Sequence, residues 1–425
     1  MGQRSSPALS AEGKKVYRQF CLAELFYGCV WGTMSFITLL LSTSGLNSQQ
    51  VGLTMSITSV FAMISAPFWG VIADKLGSRK KLFLFLMVSS GLGFALLPWS
   101  TTIKLGGLSL VMFLLPAATF VRQPGSSVMD AMVVGTTTHF PGMSYSSIRL
   151  WNSIGYTIIS PLYTMTVNAW GVAFPFYMFL VFSAITGLLT YRIKEYDTRK
   201  AKEDEMEAAA QPAPKKEKLQ WGKLFKNYYL VTFLIFNIVV FLPSQMYWFL
   251  NYLLPEVGGD ASAVGTLAGI RTIFEVLGLF IMPFLKKRFS LPQLILISGI
   301  VYAGEMLLYP VCSSAMMVTV VQCLDGLGFG LLLGAAPDYV YALAPEGLKT
   351  TATTLYGAGM GAAGIIGNAF AGWAIAAVGI KMTYLFSGLC VVAFLAFFVL
   401  TFVFGRMMKK PAPVPFFRKK EQPAA

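Results

Sequence analysis

Long apolar segments are the feature of this sequence that most limits how it can fold. Twelve segments reach the roughly 20 mostly apolar residues that a helix needs to cross a bilayer. In chain order, spans 1 to 12 cover residues 19–43, 50–73, 82–101, 106–135, 149–169, 172–191, 227–250, 261–285, 289–311, 315–344, 350–378 and 382–405. With 56% hydrophobic and only 12% charged residues, the chain has more apolar surface than one soluble core can bury. The sequence therefore predicts an all-α integral membrane protein.

The connections between the spans alternate in their content of basic residues. One set carries Lys14, Lys15, Arg18, Lys75, Arg79, Lys80, Lys81, Lys286, Lys287, Arg288, Arg406, Lys409 and Lys410. The other set carries only Lys104 and Lys381 as bases. Because excess Lys and Arg marks the cytoplasmic side, both termini are predicted to be cytoplasmic, and no cleaved signal peptide is expected. A net charge of +14 would suggest a nucleic-acid partner in a soluble protein, but here the basic residues lie mostly on one side of the membrane, so no nucleic-acid partner is expected.

Motifs for enzymatic chemistry do not occur in the sequence. The five cysteines are scattered and form no CxxC pair. A phosphate-binding loop with its lysine, an HExxH pattern and a GxSxG pattern are likewise missing. We therefore expect no metal site, no cofactor and no enzyme activity.

A polar connection divides the twelve spans into two groups of six. Residues 192–226 are rich in Lys, Glu and Ala and hold too few apolar residues for a core of their own. Similar features recur in the same order on either side, namely Pro67 and Pro283, Pro98 and Pro310, Asp130 and Asp338, and Leu150-Trp151 and Leu355-Tyr356. We predict two related six-helix bundles, 1–191 and 227–405, joined by the cytoplasmic linker 192–226 and followed by a cytoplasmic tail, 406–425.

The connection between spans 2 and 3 carries the motif GVIADKLGSRKK, which begins at Gly70. A tight turn explains its spacing: Gly70 lets a neighbouring helix approach, Asp74 caps a helix end and Gly77 takes a positive φ. Arg79 and Lys80 hold the turn in the cytoplasm. The motif resembles the G-x-x-x-D-[RK]-x-G-[RK]-[RK] signature of the major facilitator superfamily. This resemblance implies twelve helices in two pseudo-symmetric six-helix bundles, and a gating role for these five residues.

A second, narrower resemblance covers the start of span 5. The sequence IRLWNSIGY resembles the R-[LM]-[WF]-G-x-[IV]-G-[WFY] stretch of the galactoside-permease and nucleoside:proton symporter branch. That branch carries an acid close to the place of Asp130, and in the galactoside permease the acid, the arginine and the closing aromatic contact the sugar. The resemblance implies solute contacts by Asp130, Arg149, Trp151, Asn152 and Tyr156. Asn152 departs from the family pattern, which has Gly there.

An alternative role for Asp130 and Arg149 follows from their position near the cytoplasmic ends of their spans. There they would latch a closed cytoplasmic gate through a salt bridge with Arg79 or Lys80. By the same reasoning, Asp338 in span 10 is expected to act at the gate or at a helix end.

Ionisable residues inside the predicted spans are candidates for function, because a charge in the bilayer costs several kcal/mol unless it is paired or hydrated. The residues are Glu24, Arg122, Asp130, Arg149, Arg271, Glu275, Glu305, Asp325 and Asp338. At a rise of 1.5 Å per residue, Arg122, Glu275 and Glu305 fall near the midplane of the bilayer. Transporters of this class bind their solutes there, so Arg122 is a solute-binding candidate.

Proton coupling is expected from the second half of the chain. Arg271, Glu275, Glu305 and Asp325 lie in consecutive spans, with three acids for one base. At least one acid should be protonated near neutral pH, because an unpaired carboxylate is costly in a poorly hydrated cavity. Glu275 and Asp325 are the preferred carriers, since spans 8 and 10 line the cavity by resemblance and span 9 is usually peripheral. Glu24 is a further candidate, and a local ion pair between Arg271 and Glu275 is the alternative.

Aromatic and amide side chains complete the expected solute site. Tyr27 and Trp31 are four residues apart on one face of span 1, and span 7 offers Gln245 and Trp248 just after Pro243, where the helix should kink or break. Aromatic faces beside amides suit sugar rings or nucleosides.

These features favour a secondary transporter that moves a sugar, oligosaccharide or nucleoside together with protons. We expect a monomer in contact with membrane lipid, in the plasma membrane, which in bacteria is the inner membrane. A multidrug/proton exporter of the same fold is one alternative. A non-transporting membrane sensor or scaffold is another, and it would need no acid near the midplane.

Overall fold

The computed structural model describes residues 9–140, 142–196, 222–410 and 412–417. Residues 197–221 of the expected linker and 418–425 of the expected tail lie outside the described residues. The described chain is helical apart from its connections and one antiparallel hairpin of β1 (Lys104–Leu105) and β2 (Leu108–Ser109). The hairpin occupies the connection between spans 3 and 4 and the first residues predicted for span 4, which begins as a helix only at Val111, because Gly106 and Gly107 both take a positive φ.

The described residues group into two compact units. The first unit contains the described residues of 1–44 and 60–216, and the second contains those of 45–59 and 217–425. The division falls inside the helix of span 2, so the sequence-based domains and these units differ at 45–59. The Ser56 hydroxyl, for example, donates to the Ile365 carbonyl at 2.6 Å, within the second unit.

The helices of spans 1 to 6 follow the predicted segments closely. They are α1 (Ala11–Gly32), a 3-10 turn (Thr33–Phe36) and α2 (Ile37–Thr43), then α3 (Ser48–Leu76), α4 (Arg79–Ala95), α5 (Leu97–Ser100), α6 (Val111–Arg122), α7 (Gly125–His139), α8 (Tyr145–Trp170) and α9 (Phe174–Tyr191). Span 1 begins earlier than predicted because Ser10 caps the helix and its hydroxyl accepts the Gly13 N–H at 3.1 Å.

The helices of spans 7 to 12 follow a short helix at the end of the expected linker. They are α10 (Gly222–Lys226), α11 (Tyr228–Ser244), a 3-10 turn (Gln245–Phe249), α12 (Leu250–Glu256), a 3-10 turn (Ala261–Ala263), α13 (Val264–Arg288), α14 (Leu291–Leu308), a 3-10 turn (Tyr309–Val311), α15 (Ala315–Leu343), α16 (Lys349–Val378) and α17 (Ile380–Met407). Span 7 changes from an α-helix to a 3-10 turn at Gln245, two residues after Pro243, close to where the sequence predicts a kink or break.

Nine segments of the described chain are long and apolar enough to cross a membrane. The other three predicted spans are helical too, but spans 3 and 4 are each divided into two helices, and span 5 is more polar. Large apolar side chains remain on the outside of the units: Phe280 is 70% exposed, Met165 69% and Leu188 64%. Such a surface requires lipid rather than water around it.

Glycines let helix backbones meet at two places that hold ionisable residues. In the first unit, Gly28 of α1 and Gly155 of α8 face the opposite helix so closely that an added Cβ would clash with its backbone. In the second unit, a Cβ on Gly326 or Gly330 of α15 would clash with the backbone of α13. Small residues at helix crossings allow this approach, and it brings the ionisable side chains of neighbouring helices together.

Candidate functional site

Arg271 is the centre of a charged cluster in the second unit. Its Nε donates to Asp325 Oδ2 at 2.6 Å and its Nη1 to Glu275 Oε2 at 3.0 Å. The guanidinium also lies over the rings of Tyr247 and Phe329, at 4.8 and 4.4 Å. The local pair between Arg271 and Glu275 therefore forms, but Arg271 binds the acid of span 10 as well. Two of the three acids share the one base.

A hydrogen-bond chain continues from this ion pair to Glu305. Gln322 Nε2 donates to Asp325 Oδ2 at 2.8 Å, and the Tyr309 hydroxyl donates to Gln322 Oε1 at 2.7 Å. The Tyr309 hydroxyl also lies beside the Glu305 carboxyl. Glu305 is 4% exposed, and its Oε2 has no hydrogen-bond partner among the described residues. Glu305 is thus connected to the charged cluster without a base of its own.

The glycine contacts between α13 and α15 explain why this cluster is compact. Gly326 directly follows Asp325 and meets the carbonyl of Arg271, while Gly330 meets the backbone of Glu275 one turn further along. A larger residue at either glycine would push the two helices apart and lengthen the ion pair. The sequence therefore brings Arg271 and Asp325 together through backbone contact as well as through their charges.

A second charged cluster lies in the first unit around Arg149. Its Nε is 3.4 Å from Asp130 Oδ1, and its Nη1 is 3.8 Å from Glu24 Oε2. Glu24 is 1% exposed and neither of its carboxylate oxygens has a hydrogen-bond partner in the described chain. Asn152, which stands where the resembling family has Gly, is 6% exposed, and its side chain lies beside the Glu24 carboxyl without a hydrogen bond of normal geometry from its Nδ2. These long ion pairs and unused polar atoms leave bonding capacity for a ligand.

Arg122 is separate from this cluster. Its guanidinium lies over the Trp31 ring at 4.3 Å, and its Nη2 donates to Gln123 Oε1 at 3.2 Å. Tyr27, four residues before Trp31, is buried with its hydroxyl 3.3 Å from Ser126 Oγ. The structure therefore brings together Arg122 and Trp31, two of the expected solute contacts.

The remaining expected solute contacts are dispersed. Tyr156 bonds Ser35 through their hydroxyls at 3.0 Å, while the neighbouring Trp151 is 37% exposed. In the second unit, Gln245 Nε2 donates to the Phe241 carbonyl at 3.2 Å, and the Trp248 ring lies 5.2 Å from that of Tyr247. Trp248 therefore stands next to the ring that contacts Arg271.

The motif between spans 2 and 3 forms the expected turn, with two differences in detail. Gly77 has a φ of 68°. The cap of the next helix is Ser78, which accepts from the Lys81 N–H, whereas Asp74 lies inside the last turn of α3. Gly70 does not provide close helix packing, because an added Cβ would meet nothing within 4 Å.

Arg79 and Lys80 tie this turn to other helix ends of the first unit. Arg79 Nη1 donates to the Ala131 carbonyl at 3.2 Å, and Lys80 Nζ donates to the carbonyls of Tyr191 and Ile193. The carboxylate of Glu195 accepts from the Ser78 hydroxyl at 2.6 Å and from the Lys80 N–H at 3.1 Å. The sequence reasoning missed Glu195 because it lies in the linker rather than in the motif.

Asp338 is paired with Lys286 at 2.6 Å in the second unit. Lys286 lies in the last turn of α13 and Asp338 lies in α15, so the contact joins these two helices near their ends. Both side chains are partly exposed, at 59% for Asp338 and 32% for Lys286, so the pair contributes about 0 to 1 kcal/mol.

The sequence of residues 22–386 matches the model of the MFS_1 like family. The chain belongs to this family of the major facilitator superfamily. Over 87% of its length it is 24% identical to the maltose permease of Geobacillus stearothermophilus, covering 91% of that protein. Over 82% of its length it is 25% identical to the melibiose permease of Enterobacter cloacae, covering 83% of that protein.

The fold agrees with that of a solved structure in spite of low sequence identity. The crystal structure of the nucleoside transporter NupG aligns with a TM-score of 0.77 at 16% identity, over 91% of this chain and 99% of that one. The predicted all-α membrane fold of the major facilitator type is thereby confirmed. As a member of this family, the chain is an integral membrane protein and a secondary transporter of small molecules, not an enzyme.

Proposed function

We propose that the chain is a proton-coupled symporter of a small hydroxylated solute, and that Glu305 carries the coupled proton. The supporting observation is the direction of the hydrogen bonds between Asp325 and Glu305. Asp325, paired with Arg271, is ionised and only accepts. Gln322 must then present its amide N–H to Asp325 and its carbonyl to Tyr309.

This orientation uses the single hydroxyl proton of Tyr309 in the bond to Gln322. Towards Glu305, the tyrosine oxygen has only a lone pair to offer. A carboxylate there would face another acceptor inside the protein, whereas a protonated carboxyl donates to it. Glu275 and Asp325, the carriers expected from the sequence, both bind Arg271. Glu305 has no base to neutralise it in the described chain.

Loss of the proton from Glu305 would reverse the hydrogen bonds. The Tyr309 hydroxyl would then donate to the Glu305 carboxylate, and the Gln322 carbonyl would lose its donor. Rotation of the Gln322 amide would in turn remove one of the two donors to Asp325 and loosen its pair with Arg271. Protonation of Glu305 is therefore linked through two neutral side chains to the ion pair between α13 and α15.

The proposed class of solute is based on polar and aromatic side chains of the first unit and on the solutes that are named for the relatives. Asp130 and Arg149 form a long, partly exposed ion pair, the Nδ2 of Asn152 has no hydrogen-bond partner among the described residues, and Tyr156 and Trp31 supply aromatic faces. Maltose, melibiose and nucleosides, the solutes named for the relatives and the structural neighbour, all carry several hydroxyl groups. We propose import and cytoplasmic termini, with gating roles for the residues around Gly77 in the first unit and for Asp338 in the second.

The test is uptake by purified protein in liposomes under an imposed pH gradient, acidic outside. Maltose, melibiose and uridine are offered in turn, with and without a protonophore. Each pH unit corresponds to about 1.4 kcal/mol per proton, so symport of one proton should concentrate a neutral solute about tenfold per pH unit. Proton coupling would be refuted if every transported solute equilibrated across the membrane and none accumulated. Expulsion of a cationic dye by the same gradient, with no solute uptake, would instead identify an exporter.

A further inference from the structure

Arg122 is a buried cation without an acidic partner. It is 7% exposed, and its Nε has no hydrogen-bond partner in the part of the chain that the structure describes. Among those residues its hydrogen-bond partner is the neutral amide of Gln123, the Tyr27 hydroxyl is a further uncharged polar neighbour, and the rings of Trp31 and Phe94 lie beside it. No described carboxylate lies within 4 Å of it.

The two buried arginines of the units differ sharply in this respect. Arg271 has two carboxylates within 3.0 Å and also has two aromatic rings beside it. Arg122 has the rings without the carboxylates. A guanidinium in a span is costly when it is neither paired nor hydrated, and a ring quadrupole offsets only part of that cost. The positive charge of Arg122 is therefore not neutralised by any carboxylate of the described chain.

The neighbours of Arg122 fit a ligand better than they fit a structural role. Trp31 and Gln123 are both partly exposed, so the guanidinium lies next to groups that reach the surface of the first unit. A planar fork of N–H donors recognises carboxylate and phosphate oxygens in pairs. The Trp31 ring lies over the Arg122 guanidinium and holds its plane in place. The Nε of Arg122, which lacks a partner in the described chain, is one of these N–H donors.

We infer that Arg122 and Trp31 form an oxyanion subsite and that the transported solute carries a carboxylate or a phosphate group. This inference rests on the proposed transport of a hydroxylated solute and narrows it to acidic derivatives. The solute's hydroxyl groups bind around Arg149, and its anionic group completes the charge at Arg122. A proton that accompanies such an anion also cancels its charge during translocation.

Ligand binding to the detergent-purified protein tests the inference without any proton gradient. A ligand that binds the native state raises the melting temperature in proportion to the logarithm of its concentration above Kd. Three matched pairs are compared: glucuronate with glucose, glucose 6-phosphate with glucose, and uridine 5′-monophosphate with uridine. At least one anion should bind about 10- to 100-fold more tightly than its neutral counterpart, as expected for hydrogen bonds to a charged group.

The variants Arg122→Gln and Arg122→Lys separate charge recognition from folding. In Arg122→Gln the preference for the anion should disappear, and in Arg122→Lys, which keeps the charge without the fork, part of it should remain. Lys381→Gln, which removes a cation at the start of α17, should keep the full preference. If Arg122→Gln does not fold, the wild-type and Arg122→Lys measurements still decide the question.

Two results would overturn the inference: no anion binds the wild type better than its neutral counterpart, or an anion preference survives in Arg122→Gln. Failure of the proposed symport is a separate result. Anion preference without proton-driven accumulation would refute symport and retain the subsite. Proton-driven accumulation of neutral solutes alone would retain symport and refute the subsite.

Discussion

Removal of Arg271 should destabilise the protein far more than removal of Glu275, the more exposed of the two acids that it binds. In Arg271→Gln, Asp325 keeps only the Gln322 amide as a donor although it is 2% exposed. Breaking one side of a buried pair costs about 3 to 5 kcal/mol. In Glu275→Gln the Arg271 to Asp325 pair remains intact, and Glu275 is partly exposed, at 22%. That change should cost about 1 kcal/mol.

A double-mutant cycle isolates the ion pair from other effects. Arg271→Gln with Asp325→Asn leaves no unpaired charge from this contact, so the double variant should lose less than the sum of the single losses. A coupling of about 1 to 3 kcal/mol is expected for a direct contact of this kind. The penalty of Arg271→Gln should also shrink as the pH falls, because protons then neutralise the carboxylates that have lost their base.

Equilibrium unfolding in mixed micelles, followed by tryptophan fluorescence, measures these free energies. Lys286→Gln is the control, since it removes a cation from an exposed pair. The reasoning fails if Arg271→Gln costs no more than Glu275→Gln, or if the effects of Arg271→Gln and Asp325→Asn simply add. Either result would mean that the contacts around Asp325 do not stabilise the packing of α13 against α15.

Three further predictions concern helix packing, an exposed ion pair and the membrane topology. Gly326→Ala should lower the free energy of unfolding by about 1 to 3 kcal/mol, because its Cβ meets backbone that cannot move aside, whereas Gly304→Ala, with nothing within 4 Å, should have little effect in the same assay. Lys286→Gln and Asp338→Asn should each change stability by less than about 1 kcal/mol, and high salt should remove the difference. A cysteine at Lys104 should react with an impermeant thiol reagent from outside the cell; reaction only after permeabilisation would invert the proposed topology.

The membrane spans were predictable because hydropathy is a local property of the chain. In a bilayer every backbone polar group must be bonded within the helix, so an apolar segment of sufficient length has one available structure. Pro243 likewise marks the region where the α-helix of span 7 changes to a 3-10 turn. The limits of the helices depended on caps such as Ser10, which hydropathy does not register.

The charged clusters were predictable only in part. Sequence position identified Arg271, Glu275 and Asp325 as a group, because charges in apolar segments are conspicuous. The chain through Gln322 and Tyr309 could not be predicted, since neither residue is charged and their contact depends on how α15 is rotated against the end of span 9. Spacing likewise could not assign the partner of Asp338 to Lys286, because the two residues lie on different helices.

The most direct test of the central claim is proton movement coupled to solute entry in liposomes that contain a pH-sensitive dye. Addition of a transported solute without a pH gradient should acidify the lumen in the wild type and in Glu256→Gln, whose acid lies exposed at the end of α12. Glu305→Gln keeps a donor towards Tyr309 and mimics the protonated acid. It should therefore still exchange solute but move no protons. Proton entry with each solute molecule in Glu305→Gln would contradict the account.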